Sequence, residues 1–141
     1  MPKSENDRMI KVKFAHGESG WAELLAPNLA RIRNIPFSGD LNIDDVVELK
    51  KDPEGWHKVS KVVSSTFPVR ESVWYDEPWQ FHQFCAVFRL LGCKTEGGIG
   101  PDPEKKIRGF MMVAVPNEKI KPKALAESLG ISQIPPKLPK R

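Results

Sequence analysis

Only two cysteines, three histidines and one tyrosine occur among the 141 residues. Two cysteines cannot build a disulfide framework. Met1–Arg8 is polar and has no apolar secretion core, so the expected setting is a reducing cytoplasm with Cys85 and Cys93 as free thiols. The spacing of Cys85 and Cys93 would permit a bridge, but nothing in the sequence indicates one. No run approaches the roughly 20 apolar residues of a membrane span. No internal repeat is present.

Scarcity also argues against catalysis. His16, His57 and His82 fall on three different segments, and no Gly-x-Ser-x-Gly elbow occurs. Cys93 follows the C-terminus of a predicted helix, where the dipole disfavours a thiolate. His82-x-x-Cys85 would place two ligands on one helix face, but zinc needs four and no second pair exists. Gly97-Gly98-Ile99-Gly100 is followed by prolines and lacks the lysine-serine or lysine-threonine pair of a phosphate cradle. Asp40, Asp44, Asp45 and Glu48 lack the spacing of a calcium loop and read as the solvated face and entry turn of a strand. The expectation is a protein that is not an enzyme, with no metal and no cofactor.

Excess positive charge is confined to one end. From Pro116 onward six basic residues face two acidic ones, which accounts for the whole net charge of +4. Residues 1–115 balance at 16 basic and 16 acidic side chains.

What is present is one strong helix. Phe81, Phe84, Cys85, Phe88 and Leu91 recur at the spacing of a single helical stripe within Asp76–Cys93. Asp76 suits the N-cap, Pro78 the first turn and Gly92 the left-handed stop. Before it, five short strands are predicted. They run over Met9–Phe14, Trp21–Leu25, Asn28–Ile35, Asp45–Lys50 and Trp56–Ser65, separated by Gly- and Pro-rich turns. After Phe67–Trp74 and the helix come an extended Cys93–Glu96, a flexible hairpin-type Gly/Pro loop, an apolar strand at Ile107–Val115 and a short helix at Pro122–Leu129.

The fold class is therefore α+β: a small bent five-strand antiparallel sheet or barrel packed, through the Phe81–Leu91 stripe, on a β-α-β-β-α, half ferredoxin-like unit. The divisions fall at 1–8 (a disordered lead-in), 9–66 (the barrel-like part), 67–130 (the β-α-β-β-α part) and 131–141 (a basic, Pro-rich tail, extended or mobile).

Several short motifs resemble one bacterial family. They are Asn34-Ile35-Pro36-Phe37, Asp45-Val46-Val47, Val62-Val63-Ser64-Ser65-Thr66 leading to Val69-Arg70, Leu90-Leu91-Gly92-Cys93 and Val113-Ala114-Val115-Pro116. Together they are similar to the domain of unknown function 4265 family. Asp44 and Ser65 stand where that family tends to carry glycine, and Gly100–Arg108 and the tail are private to this chain. The resemblance implies a bacterial origin and a two-part fold, and it transfers no catalytic residue.

Binding is the remaining class. Trp74, Tyr75 and Trp79 cluster beside Asp76 and Glu77, and with Gly98 and Ile99 they are the candidates for contact with another protein. On this reading the chain is a non-catalytic protein-binding module: a regulator, an inhibitor or a toxin-neutralising partner. One alternative is a single-stranded nucleic-acid-binding protein using Lys137, Lys140 and Arg141. The other is a small-ligand sensor with its effector between strand and helix.

Overall fold

The structure, a computed structural model, describes residues 8–14, 17–37 and 39–134. The chain divides between Pro68 and Val69 into two compact units. Its class is α+β. Met1–Asp7, His16 and the candidates Lys137, Lys140 and Arg141 lie outside the described residues.

The first unit has five strands: β1 (Met9–Lys13), β2 (Ser19–Ala26), β3 (Leu29–Ile32), β4 (Val46–Lys51) and β5 (His57–Ser64). They pair in chain order and close into a ring. Each consecutive pair is antiparallel, whereas β1 and β5 meet in parallel, with Val12 opposite His57 and Lys13 opposite Lys58. An odd number of strands, each reversing the last, leaves the first and fifth running the same way. Closure also removes the unpaired edges of an open sheet. This order is a meander, not the Greek key of the five-stranded oligonucleotide-binding barrels.

Alternation along the strands fills the interior. Val12, Ala22, Ala30, Ile32, Val47 and Leu49 point inward with Phe14, while Lys11, Lys13 and Trp21 point out. Gly20 is required by close approach, since a Cβ there would lie 2.7 Å from the Phe14 ring.

Between β3 and β4 the acidic cluster departs from expectation. Asp45 is only 1% exposed. Its Oδ2 accepts the Asn42 N–H at 2.8 Å and its Oδ1 accepts the Ser65 hydroxyl at 2.5 Å. The Asn42 side-chain amide donates to the Phe67 carbonyl at 3.0 Å. Asp45 is thus a buried acceptor tying the connection to the segment after β5, not a solvated carboxylate. The third strand also ends earlier than its alternation predicts. Ile32 exchanges backbone bonds with Asp44 and Asp45, and the chain turns away.

The second unit runs β6 (Val69–Tyr75), α1 (Pro78–Leu90), β7 (Lys94–Gly97), β8 (Gly109–Val115) and α2 (Pro122–Ser128). Its sheet has the order β6-β8-β7 with both pairings antiparallel, so β6 and β7 run the same way with β8 inserted between them. That is the split β-α-β arrangement.

The α1 stripe is narrower than its spacing suggests. Phe84 and Phe88 are fully buried against Val73, Tyr75, Met111, Val113 and Val115, with Phe81 and Cys85 at the margin. Leu91 is 43% exposed. The core of α1 is therefore the sheet of its own unit. The N-cap is Glu77 rather than Asp76, and the Gln80 Oε1 accepts both of their backbone N–H groups.

Both helices stop in the same way. Gly92 (φ +81°) and Gly130 (φ +86°) adopt the left-handed conformation, and the next residue, Cys93 or Ile131, bonds back to the carbonyl of Phe88 or Ala126. This turn delivers Ile131 into the core, so the tail does not begin loose. Gln133 is buried as well. Its side-chain amide accepts from the Trp74 N–H at 2.9 Å and donates to the Trp74 carbonyl at 3.0 Å, covering the open edge of β6 as a strand would. The Arg108 guanidinium holds the same strap through the Ser132 and Ile134 carbonyls while pairing with Asp76 at 2.7 Å.

Candidate binding groove on the barrel unit

The residues singled out in the sequence do not form one patch. Successive strand residues face opposite sides, so Trp74 and Tyr75 cannot share a surface. Trp74 packs edge-on against Phe110 at 5.6 Å, and Tyr75 is 4% exposed inside the core. Burial pushes the Tyr75 phenol above its ordinary pKa, with a smaller push from Cys85. Tyr75 is therefore corrected from a contact residue to a core residue. Trp79 and Ile99 remain exposed. Gly98 is no flexible hinge: its N–H donates to the Phe110 carbonyl, and a Cβ there would lie 2.6 Å from the Phe110 ring. The connection it opens is further tied by the Asp102–Ile107 bridge.

The thiols are placed for packing. The Thr95 hydroxyl donates to the Cys85 Sγ at 3.4 Å, and Cys93 is buried in the core. The His82 ring stands edge-on to Phe81. Among the described residues no group of three or more His, Cys, Asp or Glu is arranged to hold a metal. Burial raises the pKa of the Cys93 thiol. In the ordinary thiol range and above, the unfolded chain loses this proton while the folded chain keeps it. The unfolded state then binds fewer protons, and stability falls as pH rises. The expected result is that iodoacetamide labels Cys93 only on unfolding. The denaturation midpoint should decline on the alkaline side, and this decline should lessen in Cys93→Ala; mass mapping and urea titrations check both.

The barrel unit, by contrast, assembles a site that linear reading missed. Lys11 lies opposite Trp21 on β2, and Lys13 lies opposite both Ser19 on β2 and Lys58 on β5. Lys58 in turn faces Lys50 on β4. Directly opposed residues share a face, so Lys13, Lys58 and Lys50 form one outward row across three strands. Trp56 precedes His57 and lies on the Lys58 side of the ring. A groove of about 900 Å³ opens there, lined by Lys11, Lys13, Phe14, Trp56, Lys58 and Asp52, among others.

Local bonding fixes the backbone that carries the two indoles. The Asp52 Oδ1 accepts the backbone N–H groups of Glu54 and Trp56, and its Oδ2 accepts from the Lys13 Nζ at 2.9 Å. The Asn34 Oδ1 accepts the Trp21 N–H at 2.6 Å. Each ring carries a lysine ammonium: Lys11 is 5.3 Å from the Trp21 centroid and Lys13 is 5.4 Å from that of Trp56. Both tryptophans are nevertheless 47% exposed.

The Asp52 bond lifts the Lys13 pKa, and the Lys13 bond depresses that of Asp52. The raised lysine contributes below its ordinary pKa and the lowered carboxylate above its own, so the pair is charged throughout the neutral range. Asp52 is thus committed to Lys13 and the turn. Lys11, Lys50 and Lys58 make no ion pair among the described residues.

No protein-family model matches the chain, and no curated protein matches it. It is similar to a solved structure described as a "Novel crystal structure of a hypothetical protein from Neisseria gonorrhoeae". The two share 14% identity at a TM-score of 0.56, over 87% of this chain and 89% of that one. At that identity the likeness concerns the fold alone. No helix among the described residues is long and apolar enough to cross a membrane.

Proposed function

We propose that this chain is a non-catalytic binding protein and that the barrel groove receives an anionic partner. One observation carries the reading: the cross-strand row of Lys13, Lys58 and Lys50. Like charges directly opposed on a sheet destabilise it. Asp52 and Glu54 offset only Lys13. A repulsive row beside two exposed indoles makes physical sense when something negative completes it. The reading keeps the expected binding class but moves its surface away from Trp74 and Tyr75. A cytoplasmic setting belongs to the same proposal, supported by the two unpaired thiols. Kinship with the domain of unknown function 4265 family rests on the short motifs quoted above.

Retention on immobilised heparin tests the groove. The double variant Lys11→Glu/Lys58→Glu should elute at clearly lower salt than the parent. Lys119→Glu/Lys123→Glu changes net charge equally but lies in the second unit, and it should elute close to the parent. Equal losses in both would reduce the effect to net charge and remove the groove from consideration.

A further inference from the structure

We infer that the anionic partner of the barrel groove is single-stranded nucleic acid, bound through bases on Trp56 in the groove and Trp21 on the adjoining strand, and through phosphates on Lys11 and Lys58 in the groove and Lys50 beside them. The inference rests on the reading of the groove as an anion site and names its ligand class. Charge alone does not account for the aromatic half of the surface. An acidic peptide would engage the ammonium groups but its carboxylates would bring no flat ring to the two indoles, each 47% exposed. A nucleic-acid strand has both complements, because every base presents a π-face and every linkage a charge.

The cation type agrees. Among the described residues, the cations that line the groove are all lysines. Arginine is the side chain suited to forked carboxylate recognition, whereas lysine acts as a point charge on phosphate. Geometry agrees too. Trp21 lies on the neighbour of β1 to one side, and Trp56 leads into its neighbour on the other. Two strand spacings therefore separate the rings by roughly 10 Å, with Lys11 and Lys13 between them. Their backbones are pinned by Asn34 and Asp52, so the platform exists before the ligand arrives. A duplex keeps its bases stacked on one another and would offer only phosphate. The site is expected to be tolerant of sequence, to accept DNA and RNA alike and to prefer single strands.

The test is fluorescence anisotropy of the full chain with labelled dT12 and U12 strands. Binding should quench tryptophan emission. Its dependence on salt should follow a log–log slope of about −2, the value for about three neutralised phosphates on a single strand. Trp56→Leu should weaken binding about tenfold or more, whereas Trp56→Phe, which keeps a stacking ring, should hold most of it; unchanged thermal melting of both variants excludes misfolding. An abasic strand of equal length should bind at least tenfold more weakly than dT12. If the abasic strand or polyglutamate binds as well as dT12, the base-stacking inference fails while the anion groove stands. If no polyanion binds at low salt, both fail.

Discussion

Truncating Phe88 to alanine is expected to remove about 3–5 kcal/mol of stability, and Phe84→Ala a similar amount. Both rings are fully buried and lie 5.9 Å apart between α1 and the sheet. Each fills volume that the β6 and β8 side chains cannot recover by relaxing, because β8 is buried residue after residue from Met111 to Val115. Leu91→Ala is the internal control. Leucine 91 sits on the same helical spacing but is 43% exposed, and its loss should cost within about 0.5 kcal/mol. Urea titration separates the cases: the midpoint should fall steeply for the two phenylalanines with little change in slope, and hardly at all for Leu91. A large loss for Leu91→Ala, or a small one for both phenylalanines, would show that the helix packs through a different face.

That contrast marks where periodicity stops being informative. The spacing of Phe81 to Leu91 identifies a helix and its apolar side. It does not say how wide a stripe the neighbouring sheet covers, nor which sheet that is. Strand alternation was more informative. Lys11, Val12, Lys13 and Phe14 declare their faces in the sequence, and the run in β8 declares a strand covered on both sides. At Ile131–Ile134, which open a tail rich in proline and lysine further on, the sequence carries no signal of order. Its order comes from single long-range contacts, Gln133 on the edge of β6 and Arg108 on two carbonyls, which leave no periodic trace.

The groove shows a second limit. Lys11 facing Trp21 follows from a hairpin turning near Gly17 and was available from alternation. Trp56 and Lys58 join them only because β5 closes on β1, a parallel pairing between residues more than forty positions apart. Charge counting concealed it further. Residues 1–115 are neutral by number, but several of their acids are committed: Asp45 to Asn42 and Ser65, Asp52 to Lys13 and its turn, and Asp44 to Arg33. The lysines of the barrel face are left in local excess.

The acidic cluster supplies the other large effect. Asp45→Ala should cost about 2–4 kcal/mol, because a buried carboxylate that accepts two bonds is removed and the Asn42 N–H is left inside without its acceptor. Asp45→Asn should fall between parent and alanine, since its amide offers one acceptor oxygen where two donors converge. The neighbouring Asp44→Gly should behave oppositely. Asp44 holds φ at +67°, which glycine adopts without penalty, and its exposed partner Arg33 stands 3.4 Å away, where an ion pair adds little. That substitution is expected to be neutral or slightly stabilising. Thermal melting of the three variants decides the matter: equal, small losses at both positions would mean that Asp45 is hydrated after all. A large loss confined to Asp45 identifies this carboxylate as what holds the β3–β4 connection to the segment that follows the barrel.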